Sequence, residues 1–215
     1  MGSRGQSIGN GGGGGGRVNI DSETDVWSYR HNSGNVPFVD AMNDGVRRIQ
    51  NDFPDIMDDV NYVMAAELKG ASKYSILGYY DRTSKTVALN TNFTDVDKMN
   101  AVYDRSTQQG FHPSRGSRSG TEAVSLHEMG HALTDYVAQK MGHGDMDRAA
   151  NTLVKAAYKA SGAKGGNYKW GGTISEYAQT KYTECVAEAV ADYYCNGSKA
   201  SNASKAIMNE IFKYK

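Results

Sequence analysis

The segment His127-Glu128-Met129-Gly130-His131 constrains this chain more than any other five residues in it. Residues four apart on a helix stand on one face, so the two imidazoles can each give a nitrogen to a single tetrahedral metal. Glu128 then stands beside the coordination position left open. Two surface histidines flanking a carboxylate would look the same in isolation, so the flanks decide. Ser119-Gly120-Thr121-Glu122 has the capping-box pattern, in which a hydroxyl and a carboxylate satisfy orphan backbone donors at a helix start. Leu126, Met129, Leu133, Tyr136, Val137 and Met141 then recur at three- and four-residue steps, and Gly142 offers a stop. The five residues therefore belong to a long helix whose apolar stripe enters a core.

This is the H-E-x-x-H arrangement of zinc hydrolases. Catalytic zinc normally takes three protein ligands plus water, so a third ligand must come from elsewhere. The extended pattern that adds a glycine and a third histidine is absent, because Thr134 and Val137 occupy those places. Downstream, residues 183–192 form a second helix-favouring run in which Glu184, Glu188 and Asp192 make one carboxylate line. Their neighbours are Val, Ala, Cys and Tyr with almost no lysine to pair with, so Glu184 or Glu188 is a candidate ligand. Metal-bound histidines usually donate their second ring nitrogen to a carboxylate or carbonyl. Glu188 is the preferred partner for that role, and Asp135, a turn beyond His131, is the other.

The stretch from His127 to Tyr136, with Ala132 and Asp135, resembles the active-site helix of gluzincin peptidases such as thermolysin. Ser175-Glu176-Tyr177-Ala178-Gln179-Thr180, followed by Glu184 and Ala187-Glu188-Ala189, resembles the catalytic domains of anthrax lethal factor and the clostridial Pro-Pro endopeptidases. In those a tyrosine precedes the glutamate ligand by seven residues, the spacing of Tyr177 and Glu184. Residues 110–215 are also similar, more loosely, to metallopeptidase-like domains of minor head proteins from phages and prophages of Gram-positive bacteria. The resemblance implies Zn2+ held by His127, His131 and Glu184, with Glu128 as general base and Tyr177 as a hydrogen-bond donor to the oxyanion. It implies a zinc-dependent endopeptidase that hydrolyses peptide bonds through a zinc-activated water. The implied partners are a peptide or protein substrate and, through the phage likeness, head proteins of a particle. A structural or inactive zinc site in a virion component is the alternative.

Composition restricts the partners further. The chain has 215 residues with 24 basic and 24 acidic side chains, which gives no general pull toward nucleic acid or an anionic membrane. No apolar run approaches the roughly 20 residues needed to span a bilayer. The amino terminus lacks the apolar segment of a secretory signal, so a cytoplasmic or virion-associated location is expected. Cys185 and Cys195 fall ten residues apart on one expected helix, about 15 Å along its axis and beyond disulfide reach, so both should be free thiols.

The expected fold is α+β, a small sheet followed by a mainly helical C-terminal half. Residues 1–16, ending in six glycines, read as a flexible tail or linker. Residues 17–215 read as one domain, with a helix-and-sheet part over 17–110 and a helical zinc-binding part over 111–215. A helix is expected over 37–50, with Phe38, Met42, Val46 and Ile49 on one face, and a strand over 61–66. Residues 75–80 and 86–90 should form a hairpin, and a helix should run from about residue 94 to 110. Strand 86–90 is the candidate sheet edge beside the cleft, where an extended peptide could pair. The loop 162–172, with its glycines and aromatics, is a candidate cover for the cleft or a plain connector. His31, His112 and His143 have no partner at ligand spacing and receive no metal role. Arg115 and Arg118 read as solvated.

Overall fold

Phe38, Met42, Val46 and Ile49, spaced four, four and three apart, are all fully buried on one helix, α1 (Val36–Asp52). The structure is a computed structural model that describes residues 17–19, 36–67 and 75–215. The expected tail, residues 1–16, lies outside the described residues. Before α1 comes a short strand, β1 (Arg17–Asn19). After it come β2 (Tyr62–Ala66), β3 (Gly78–Asp81) and β4 (Thr86–Asn90). Six helices follow: α2 (Val96–Gln108), α3 (Gly120–Lys140), α4 (Met146–Ser161), α5 (Asn167–Gly171), α6 (Tyr182–Asn196) and α7 (Asn202–Ile211). The small mixed sheet and the helical C-terminal half make this the α+β fold that the sequence pattern predicts.

The sheet order is β1-β2-β4-β3, with β2 and β4 parallel and the other two pairs antiparallel. Strand 86–90 is therefore not the edge that the sequence suggested. It lies between β2 and β3, and all five of its residues are buried, as a strand covered on both faces requires. A hairpin shows which strands neighbour each other in sequence, but the long-range pairing with β2 decides which of them ends the sheet. That strand is β3.

Every residue of α3 from 120 to 138 is buried, because α1, α2, α4, α6 and the β3–β4 hairpin all pack on it. A helix enclosed on every side is the axis of the molecule, not an amphipathic surface helix. Ser119 caps it as expected, its Oγ accepting from Glu122 N at 3.0 Å. The reciprocal half of the capping box is not formed. The Glu122 carboxylate turns to Arg48 of α1 and Arg118 instead, since a buried carboxylate gains more from a cation than from one amide. The helix ends at Met141 and the chain turns at Gly142, where φ is +78°.

Two close approaches set α3 against its neighbours. A Cβ on Gly45 of α1 would lie 2.8 Å from Ser125 Cβ, and Ser125 Oγ donates to Met42 O at 2.8 Å. A Cβ on Gly130 would lie 2.8 Å from Ala187 Cα, so α3 and α6 meet backbone to backbone at that point. The second contact brings the two histidines of α3 level with Glu184 and Glu188 of α6. One contiguous apolar core runs from Phe38 to Ile211, through both the sheet part and the helical part. No helix among the described residues is long and apolar enough to cross a membrane.

Candidate metal centre

His127 and His131 stand one turn apart on α3, 7% and 6% exposed, with ring centroids 5.0 Å apart. Together with Glu128 they form a buried His-Glu-His group able to hold a metal ion, with ligand atoms all within 4.8 Å of one another. Glu184 reaches the same place from α6. Its Oε2 lies 3.4 Å from His127 Nε2 and 3.3 Å from His131 Nε2. These separations are longer than a good N–H···O bond. They match the roughly 3.3 Å edge of a tetrahedron whose centre lies about 2.0–2.1 Å from each donor.

The polar bookkeeping points the same way. Both ring nitrogens of His131, Oε2 of Glu184 and Oε2 of Glu128 are buried without a hydrogen-bond partner among the described residues. Each such group costs about 1–3 kcal/mol if left unsatisfied. His131 Nε2, Glu128 Oε2 and Glu184 Oε2 gather with His127 Nε2 at one place, a donor set able to hold a metal ion.

Glu188, one turn further along α6, lies behind His127. Its Oε1 is 2.7 Å from His127 Nδ1, where only the ring's orientation stands between the pair and a hydrogen bond. The same Oε1 is 3.0 Å from His112 Nδ1, and Oε2 accepts from Ser175 Oγ at 2.7 Å. Burial opposes ionisation of Glu188, but His112 and His127 outweigh it and lower its pKa to about 2. Burial likewise opposes protonation of His127, but Glu184 and Glu188 outweigh it and raise its pKa well above the histidine range. Glu184 is held below the usual carboxylate range by His131 and His127, against the effect of burial. Glu128 differs from both. Burial raises its pKa, and His127 and His131 only partly offset that.

The group opens onto a cleft of about 440 Å³. Ile76, Leu77 and Gly78 form one wall, α2 with Val102 the other, and Val124, His127 and Glu128 the floor. Gly78 is pressed onto the floor, since a Cβ there would lie 3.0 Å from both Glu128 Cγ and Val124 Cγ1. β3, the last strand of the sheet among the described residues, thus borders the cleft through Gly78, in the place expected of strand 86–90. Tyr177 also lines the cleft from the short turn Tyr177–Gln179, its ring stacked on His127 at 5.9 Å and on Phe111 at 5.0 Å.

Other expectations fare differently. Asp135 does not touch His131. It is fully buried and accepts from Tyr80 Oη and Arg82 Nε at 3.0 and 3.2 Å, with Lys85 Nζ also bound, so it fastens the β3–β4 hairpin to α3. Two cations brought by the hairpin hold this carboxylate away from His131. Asp192, third on the carboxylate line, accepts from Ser201 N and Ser204 Oγ at the start of α7. No described side chain of loop 162–172 lines the cleft: Trp170 is buried edge-on to Tyr158 at 5.6 Å, and Gly166 N donates to Tyr158 Oη. An indole gains more from that burial than from covering a wet cleft. Arg115 is not simply solvated, since it grips both oxygens of Asp104 at 2.7 and 2.8 Å. Cys185 and Cys195 are free and buried. His143 accepts from Asp145 N in an exposed turn, and His31 lies outside the described residues.

His112 is the site residue that sequence reasoning missed. Its partner Glu188 is 76 positions away, and no spacing rule reaches that far. No protein-family model, curated protein or solved structure matches the chain, so the functional reading rests on this geometry.

Proposed function

We propose that this chain is a zinc-dependent endopeptidase of gluzincin type, with His127, His131 and Glu184 as metal ligands and Glu128 as general base. The observation that carries the reading is the convergence of unpartnered buried donor atoms from α3 and α6 at the floor of an open cleft. Zinc bound there would act as a Lewis acid, drawing the pKa of water toward about 7 and polarising a peptide carbonyl. Glu128 Oε2 has no partner among the described residues and lies within the same group, so it would take the proton from the attacking water and pass it to the leaving amine. Its buried setting suits that task, because burial raises its proton affinity. Tyr177, on the cleft wall, supplies a phenol to the developing oxyanion. β3, last in the sheet order among the described strands, runs along the cleft at Gly78, where an extended peptide could lie.

A purely structural zinc site is normally closed by four protein ligands and has no use for an unpartnered carboxylate at a cleft. Association with a phage particle rests on the resemblance alone and can accompany the enzymatic role. Glu128→Gln should keep about one zinc per chain, measured by elemental analysis, and lose peptide turnover. Full activity in that variant would discard the mechanism. Glu184→Ala should lose zinc under mild chelation that leaves the wild type loaded, and equal retention would move the third ligand elsewhere.

A further inference from the structure

His112 is built into the cleft in a way that simple packing does not require. Its ring stacks on Tyr103 at 5.5 Å and meets the edges of Phe111, Tyr177 and His127 at 4.9, 5.5 and 6.2 Å. The chain carrying it is tied to the Tyr177 turn by two backbone bonds, Glu176 N to Gly110 O and Tyr177 N to Phe111 O. Nδ1 is committed to Glu188, whose other oxygen is held by Ser175. Ser175 Oγ in turn accepts from Ala178 N at 3.0 Å. The imidazole is therefore fixed in position and rotation, with its side chain 16% exposed. Nε2 makes no hydrogen bond among the described residues and is not one of the buried polar atoms, so it keeps contact with the cleft. One nitrogen is thus anchored by a buried carboxylate and the other is left open to the cleft that Glu128 and Tyr177 also line.

We infer that His112 is a substrate-binding residue of this cleft, its Nε2 making a hydrogen bond to the backbone of a peptide lying along it. The inference rests on the peptidase reading and deepens it. The carboxylate engages Nδ1 and fixes the ring, so the ring's remaining hydrogen-bonding capacity lies at Nε2. A peptide backbone, whose polar groups lose water on entering an apolar cleft, needs such a partner. Because the ring is already fixed, binding costs little of the ordering entropy a mobile side chain would lose.

His112→Asn separates the two nitrogens, since the shorter amide can still donate to Glu188 but cannot reach as far as Nε2. The probe is a leucyl dipeptide hydroxamate, titrated by calorimetry into zinc-loaded protein, with zinc affinity measured separately by competition with a chromophoric chelator. The expected result is unchanged zinc affinity and roughly tenfold weaker hydroxamate binding, the loss of about one hydrogen bond. Equal hydroxamate binding by variant and wild type would overturn the inference while leaving the peptidase reading intact. A parallel loss of zinc affinity would also overturn it, by showing that His112 acts through Glu188 on His127. No zinc-dependent binding to the wild type would overturn both readings. A second measurement does not depend on the variant folding. In imidazole nitrogen spectra of the wild type, the probe should shift His112 Nε2, and an unmoved Nε2 refutes the contact.

Discussion

Glu188 shows how much one side chain can hold together here. One oxygen faces both His127 and His112, and the other takes the Ser175 hydroxyl, so the carboxylate stands behind the proposed ligand His127 and braces His112 beside the cleft. Glu188→Gln keeps the shape but loses the charge that holds the His127 Nδ1 proton. Zinc affinity should fall about 10- to 100-fold, read by chelator competition, while the fold persists. An unchanged affinity would leave Glu188 a role in the cleft wall only. The sequence points to Glu188 because it follows Glu184 by one helical turn. By the same rule it points equally to Asp135, and there it misleads, because the hairpin brings Arg82 and Lys85 to that carboxylate. His112 is invisible to local spacing for the same reason: its contacts are made by tertiary packing. The two cysteines give a prediction of a different kind. Burial pushes both thiols up to about 12 from an ordinary value of 9.0. A folded pKa raised above the unfolded one contributes stability that is intact below about pH 9 and is lost as pH climbs from there toward 12. Iodoacetamide at pH 8 should therefore leave both thiols unmodified in native protein and label both after unfolding. Rapid labelling of either thiol in the native state would contradict their burial.

Among the elements, the crossing of α3 and α6 decides whether a site exists at all. Each helix is legible in the sequence from its apolar steps, its cap and its stop. Their contact is legible only in retrospect, as the glycine between the base and the second histidine. Gly130 reads within the motif as a filler position, yet it is where Ala187 Cα approaches within 2.8 Å of a would-be Cβ. Ala is the better helix former by about 1 kcal/mol, so an isolated helix would gain from the change. In the fold, Gly130→Ala must push α6 away from α3, because the obstructing atoms are backbone and cannot rotate aside. The net effect should be destabilisation by about 1–3 kcal/mol, with weakened zinc retention as Glu184 retreats from the histidines. Chemical denaturation and metal content measured on the same preparation test this. A stabilised variant that retains zinc would mean the helices adjust without cost. The sheet teaches the same lesson from the other side. The hairpin over 78–90 is local and readable, whereas the parallel pairing of β2 with β4, which makes β3 the cleft's border, joins residues 24 apart in sequence.

For the whole molecule, the metal group sits where the most enclosed helix meets its principal partner, inside a core that runs from α1 to α7. Nothing in that core divides the sheet part from the helical part, so the described domain should unfold in one cooperative step. The unpartnered histidine and glutamate atoms raise the free energy of this core, and a cation bridging α3 and α6 would remove the penalty. On the proposed reading zinc would bind the assembled site and find no comparable site in the unfolded chain, so it would stabilise the fold by mass action. At free zinc a hundredfold above its dissociation constant the gain is about 2.7 kcal/mol. For a domain of this size that corresponds to a rise of roughly 5–10 °C in the unfolding midpoint. Chelation should therefore move a single calorimetric transition downward as a unit, and readdition of zinc should restore it. Glu128→Gln should show the same dependence, because the base is not needed to hold the ion, whereas Glu184→Ala should show little. If chelation left the midpoint in place, or split it into two transitions, the ion would not be the link between α3 and α6, and the unpartnered atoms would need another explanation.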